Sequence, residues 1–174
     1  MEKKDIIKIA VVGPESTGKS ILCEQLALHY KTKYVPEFAR KYFENNKIEN
    51  HRLFDIDFIY EMQIELENDL IEKANTYLFC DTALVSGKVW AEEVFHETPP
   101  FIAENLEKVK YQLYLLCDID IPWVRDKQRR NEHNRAKLFN DHKVELDRMK
   151  VSYKIITGLK EARLENAIKA IEEL

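Results

Sequence analysis

Eight residues near the start of the chain, Gly13-Pro14-Glu15-Ser16-Thr17-Gly18-Lys19-Ser20, match the pattern G-x-x-x-x-G-K-[ST] in full. An apolar run precedes them and a helical pattern follows, which is the setting the pattern requires. Gly13 and Gly18 permit backbone angles that other residues resist, so loop amides can approach an anion closely. Those amides and the helix N-terminus supply partial positive charge to phosphate oxygens. The whole loop, Gly13 to Ser20, is therefore a candidate cradle for a nucleotide triphosphate, ATP. Lys19 is placed to reach the β- and γ-phosphates, and the Ser20 hydroxyl suits Mg²⁺. A chance glycine turn between strand and helix is the competing reading. Binding a nucleotide does not by itself say what the nucleotide is used for.

Acids and arginines further along supply the rest of a phosphoryl-transfer chemistry. Asp81 ends the apolar run Tyr77-Leu78-Phe79-Cys80, where a phosphate-loop protein puts an acid that binds Mg²⁺ or accepts a proton from an attacking hydroxyl. Helix capping is its other possible role, one that Thr82 or Ser86 also suits. Glu37 and Arg40 lie in Val35-Pro36-Glu37-Phe38-Ala39-Arg40 and share one face if a helix begins there. Arg40 is read as an anchor for substrate or phosphate, and Glu37 as a group that accepts from sugar hydroxyls or orients the attacking one. A plain surface ion pair is the alternative. Gln63 is a weaker candidate, with a solvated helix side as its alternative.

Residues 125–137 carry Arg125, Lys127, Arg129, Arg130, Arg135 and Lys137 against Asp126 and Glu132. Such a segment suits a lid, over about 123–137, that closes on the transferring phosphoryl and excludes water. Arg125 and Arg129 are its candidates for the reaction, and Arg130 for the nucleotide. A solvated loop or a small nucleic-acid patch would carry the same charge. Trp90 and Trp123 read first as packing residues, with Trp123 also a candidate substrate contact.

These groups need a frame. Apolar runs at 6–12, 34–35, 77–80, 112–117 and 153–157 read as strands. Helical patterns cover 19–31, 56–74, 86–95, 138–149 and 160–174, with a break at His96–Pro100 and a short helix after it. Ile21, Leu22, Leu26 and Tyr30 are expected to face inward, as are Ile59, Met62, Leu66 and Leu70 on the long helix. Strands separated by helices predict a three-layer α/β/α fold with a mostly parallel five-stranded sheet. Ligands in such sheets bind beyond the carboxyl ends of the strands, and every motif above falls at such an end.

The chain has 174 residues and is read as one domain, 1–174. Its 27 lysines and arginines against 31 acids give a net charge of −4, which argues against a general nucleic-acid binder. No apolar run is long enough for a membrane span, and the N-terminus lacks the pattern of a signal peptide. Cys23, Cys80 and Cys117 form no CxxC pair and read as buried reduced thiols of a cytoplasmic protein, not as a zinc site. Homo-oligomerisation is left open.

The runs GPESTGKS, VPEFARKYF, FCDTALVSGKVWAEEVF and YLLCDIDIPWVRD resemble, in order and over nearly the whole chain, the ribosylnicotinamide kinase domain of NadR-type proteins. The resemblance implies a P-loop kinase that moves the γ-phosphate of ATP to the 5′-hydroxyl of nicotinamide riboside, giving NMN and ADP. It carries over the phosphate loop, Glu37 and Arg40, Asp81, and the arginines after Asp120-Ile121-Pro122-Trp123. A pyridinium ring would suit a nearby carboxylate such as Glu37 and a stacking ring at Tyr34, Phe38 or Trp123. Family members often read DTD where this chain has Asp81-Thr82-Ala83, so one carboxylate of the pattern is missing. The adenylyltransferase and DNA-binding parts of longer NadR proteins have no room here, so the kinase step is all that is expected. An ATPase, or a nucleotide-dependent switch or sensor without an acceptor, is the alternative.

Overall fold

The computed structural model describes residues 5–47, 51–129 and 131–174. Strands β1 (Ile7–Val12), β2 (Lys33–Val35), β3 (Tyr77–Asp81), β4 (Leu113–Cys117) and β5 (Tyr153–Ile156) form a sheet in the order β2-β3-β1-β4-β5. Every pairing is parallel. Helices α1 (Lys19–His29), α2 (Phe38–Asn45), α3 (Leu53–Ile71), α4 (Leu84–Phe95), α5 (Pro100–Asn105), α6 (Arg135–Met149) and α7 (Glu161–Glu172) make the connections, with a 3-10 turn at Glu132–Asn134.

Successive strand residues point to opposite faces, so each strand feeds two cores. Ile9, Val11, Phe79, Leu113 and Leu115 pack with Leu22 and Leu26 of α1 and with Ala167 and Ile171 of α7. Ala10, Val12, Leu78, Cys80, Tyr114 and Leu116 pack with Ile56 and Ile59 of α3, Leu84 and Val85 of α4, Ile102 of α5 and Leu146 of α6. Both faces are covered, which is why the strands read as continuous apolar runs. This is the expected three-layer P-loop architecture.

Several expectations need correction. Ile21 is 63% exposed, because α1 turns Leu22, Cys23 and Leu26 to the sheet and leaves Ile21 on its rim. Met62 is only half-buried; the inner line of α3 runs Ile56, Ile59, Tyr60, Gln63 and Glu67, since a residue four on from Ile59 lies nearer its face than one three on. Glu93, which its sequence setting reads as a solvated acid like Glu92, joins α4 to α6 through Lys137 at 2.5 Å and Asn134 at 2.9 Å. The three cysteines are free and buried, and burial raises all three thiol pKa values. Among the described residues, no helix is long and apolar enough to cross a membrane.

Candidate functional site

The phosphate loop forms at the carboxyl end of β1, the central strand. Gly13 has φ +133°, and a Cβ there would stand 2.8 Å from the Cys117 carbonyl of β4, so only glycine lets the loop lie against its neighbouring strand. Gly18, at φ +76°, opens α1. Inside the loop, Thr17 Oγ1 and Lys19 Nζ each donate to the Pro14 carbonyl at 2.8 Å. The Lys19 ammonium is thus held over the loop rather than out in solvent.

The strap from Ile119 to Arg135 braces this loop. The Ser16 hydroxyl accepts from Val124 N at 2.9 Å, and the Glu15 carboxylate accepts from Asn131 N at 3.0 Å. Arg135 donates to the carbonyls of Ser16 at 3.1 Å and Ile121 at 2.8 Å, with a longer reach to Ile119 at 3.4 Å. Its guanidinium also lies 5.7 Å from the Trp123 ring. Behind the strap, buried Arg163 of α7 donates to Ile156, Gly158 and Asp118 carbonyls and to the Asp120 carboxylate. These contacts tie the ends of β4 and β5 together.

Asp81 ends β3 beside the loop and is 1% exposed, with Oδ1 lacking a hydrogen-bond partner. It does not cap α4, whose N-cap is Ala83 with no side-chain cap bond. Thr82 takes φ +78° to make the turn, a strained setting for a branched residue. Burial pushes the Asp81 carboxyl above the ordinary range, with the Lys19 ammonium and then the Ser20 hydroxyl pulling back. Glu37, on the loop after β2, is also raised, first by burial and then by the Asp81 charge, against Lys19 and Arg40. Two acids and one lysine therefore share a poorly hydrated corner.

A cavity of about 440 Å³ runs from the phosphate loop past Glu37 and Arg40 to Ile56, Tyr60, Thr82, Ser86, Trp90 and His142, a size suited to a small ligand. Phe43 and Trp90 line its far end, both packed on His51 at ring distances of 5.6 Å and 4.8 Å. His142 is buried; its Nδ1–H donates to the Leu138 carbonyl at 2.7 Å, which leaves Nε2 to accept from the Ser86 hydroxyl at 3.0 Å. Burial lowers its pKa to about 4, so the ring faces the cavity neutral.

Of the sequence candidates, Gly13 to Ser20, Glu37, Arg40 and Arg129 line this cavity, and Asp81 lies in contact with it through Lys19 and Ser20. Arg40 is paired with Glu37 at 3.5 Å and with Asp126 of the strap at 3.3 Å. Arg129 is anchored to the Val124 carbonyl at 2.8 Å. Arg125 stands exposed outside the cavity. Arg130 falls outside the described residues. Trp123 does not line the cavity, because its ring is engaged by Arg135. Tyr34 packs on the α1 side of the sheet, and Phe38 turns to Phe58 at 6.2 Å. The rings that do reach the cavity are Phe43, Tyr60 and Trp90. Ala83 is buried in the core, so the position of the missing carboxylate faces apolar packing. Sequence reasoning also missed Ser86, His142 and Arg163 as site-building groups; Gln63, the weaker candidate, is 1% exposed, so the solvated helix side that was its alternative falls away. A lone polar residue inside an apolar helical stripe was their only signal.

The surroundings of this loop agree with what comparison with known proteins finds. Residues 8–163 match the model of an AAA domain. The trifunctional NAD biosynthesis/regulator protein NadR of Escherichia coli K12 is 26% identical over 121 residues, which is 68% of this chain and 30% of that protein. A crystal structure of NadR in complex with NAD and AMP-PNP superimposes with a TM-score of 0.81 at 21% identity, over 97% of this chain and 49% of that one. NadR in complex with NR gives 0.80 at 21% identity, over 97% and 51%. The chain thus spans about a third of the curated relative and about half of the solved ones. Because the AAA-domain match covers nearly the whole fold and includes its phosphate loop, this chain belongs to that AAA-domain family.

Proposed function

We propose that this chain is an ATP-dependent kinase that phosphorylates the 5′-hydroxyl of nicotinamide riboside. The observation that carries the reading is the pairing of Asp81, buried with an unpartnered carboxylate oxygen, with Glu37 at the junction between a phosphate loop and an aromatic-walled pocket. A site for hydrolysis alone has no use for the second half of that cavity. NadR structures hold AMP-PNP and NR, which supports the same assignment. A cationic pyridinium ring suits the face of Phe43, Tyr60 or Trp90 together with a nearby carboxylate, and neutral His142 adds no opposing charge.

The transfer forms a bond from the acceptor oxygen to the γ-phosphorus and breaks the bond from that phosphorus to the β–γ bridging oxygen. Glu37 or Asp81 takes the hydroxyl proton, and their raised pKa values suit them to hold it. Lys19 absorbs charge on the leaving and transferring oxygens, and Arg129, already at the cavity, adds to it as the strap closes. Arg40 orders the acceptor side by fixing Glu37. Ser20 and Asp81 are hard oxygen donors, so with the nucleotide's own oxygens they would hold Mg²⁺, which neutralises phosphate charge when bound. No group of three metal-ligating side chains exists among the described residues, so a resident ion would need the nucleotide. Residues 1–174 work as one unit with the strap as its lid. Buried reduced thiols suit the cytoplasm.

The test is ADP formation from ATP with a panel of nucleosides. Turnover dependent on nicotinamide riboside is expected. ADP release unaffected by any acceptor would sink the reading in favour of an ATPase or switch.

A further inference from the structure

We propose that Gln63 is a positioning residue for this transfer: from inside α3 it clips the Glu37 loop to the end of β3 and so sets where the Glu37 carboxylate stands relative to Asp81. The inference rests on the kinase reading above. Gln63 is buried but absent from the cavity lining, so it acts through other groups. Its Oε1 accepts from Phe38 N at 2.8 Å, and its Nε2 lies 3.3 Å from the Pro36 carbonyl and 3.5 Å from the Asp81 carbonyl. One amide therefore holds both neighbours of Glu37 and reaches the backbone of the other acid.

Helix α2 explains why such a clip is needed. It buries no residue fully, and Phe38, Ala39, Tyr42 and Phe43 pack on the core from one side only, so its first turn is held by polar contacts as well as by packing. Its first N–H groups have no partner within the helix. Glu37 occupies the N-cap position, yet its side chain makes no cap bond. Gln63 satisfies the Phe38 N–H, and with no cap bond of its own the Glu37 carboxylate stays available to the cavity. Pro36 has no N–H and a restricted φ, so its carbonyl is the one handle on that side, and Nε2 uses it. Glutamate at 63 would keep an acceptor for Phe38 but lose both donors. Methionine would fill the space and keep neither.

Gln63→Met is tested beside the parent. Exchange of the Phe38 amide is expected to speed up by at least tenfold. Acceptor-dependent kcat is expected to fall about 10- to 100-fold, as misplacement by an ångström can cost, while ATP affinity by calorimetry stays within twofold. In a double-mutant cycle, Gln63→Met/Glu37→Gln is expected to turn over as slowly as Glu37→Gln alone, within threefold. Parental kcat in folded Gln63→Met, or losses that multiply in the double variant, would overturn the positioning role. An equal loss of ATP affinity would do so too. Should Gln63→Met not fold, Gln63→Glu takes its place; parental kcat there, or loss of fold in both, also overturns it. A parent without acceptor-dependent turnover fails the kinase reading itself, and that outcome is separate from a working parent beside an unaffected variant.

Discussion

Each end of strand β1 has a lysine near a buried carboxylate, Lys8 of the strand itself at one and Lys19 at the start of α1 at the other, and the two ends are built differently. At the amino end, Lys8 meets Glu67 of α3 at 2.6 Å, and Tyr111 donates its hydroxyl to the same carboxylate at 2.6 Å. Lys8 also sits 4.5 Å over the Tyr111 ring. At the carboxyl end, Asp81 is equally buried, but one of its oxygens has no partner and Lys19 is bonded to a loop carbonyl instead. Burial is therefore not what separates the acid proposed to act in the transfer from a structural one. Glu67 has its partners within the fold, whereas in the proposed transfer Asp81 and Lys19 keep capacity for a ligand.

The largest way to break this contrast is Lys19→Ala. Turnover is expected to fall by about 10³-fold, since charge stabilisation of this kind supplies that order. Thermal melting should barely move, because the Pro14 carbonyl keeps its bond from Thr17 Oγ1 and the two neighbouring acids, already raised by burial, can take up protons when the ammonium is lost. Asp81→Asn is expected to cost about 10²-fold or more in kcat with equal or higher stability, because an acid that is costly to bury becomes neutral. A stable but fully active Asp81→Asn enzyme would contradict the contrast directly. Glu67→Leu should do the reverse. Breaking a buried pair costs about 3–5 kcal/mol, and Lys8 keeps some contact with water, so about 3 kcal/mol is expected in urea melts. Activity per folded molecule should stay within twofold.

The strap offers a finer comparison. Arg129→Ala is expected to lower kcat about 10- to 100-fold, whereas Arg125→Ala, with no place at the cavity, should stay within twofold. Equal losses from both would mean that closure brings Arg125 inward.

The smallest effect is in pH. His142 is lowered to about 4 when folded, below its ordinary value. The unfolded chain then binds more protons between the two values, so this group's contribution falls as pH drops from about 6.5 toward 4. It should amount to about 2 kcal/mol at pH 5 relative to pH 8, a slope that His142→Gln removes. Asp81 and Glu37 run the other way. Their folded pKa values are raised, so stability falls as pH climbs from the ordinary carboxylate range through the raised one. Urea melts across pH 4–8 in the parent, His142→Gln and Asp81→Asn separate the two slopes.

Much of this was legible in the chain itself. Glycine at 13 and 18, lysine at 19 and the β-branched run before them require one another locally, so the phosphate loop could be read without a fold. The continuous apolar runs of β1, β3 and β4 pointed to a sheet covered on both faces. The aromatic wall could not be read in the same way. Phe38, Phe43, Trp90 and Trp123 all lie inside the recognised runs, yet the rings of Phe38 and Trp123 are taken by Phe58 and Arg135. Which ring reaches the cavity depends on how α2 and α4 are rotated against α3, and spacing does not set that rotation.

Local backbone chemistry thus determined from the sequence alone that a phosphate could be held, and at which loop, because every group involved lies within eight consecutive residues. Tertiary structure decided what stands opposite. Gln63, His142 and Arg163 each look like a polar interruption in a helix, and each acquires meaning only when groups from other elements, an amide, a hydroxyl or a carbonyl, are brought within hydrogen-bond reach. A buried polar group must find its partners in space, and these three find partners 25 residues away for Gln63 and Phe38, 56 for His142 and Ser86, and 45 for Arg163 and Asp118.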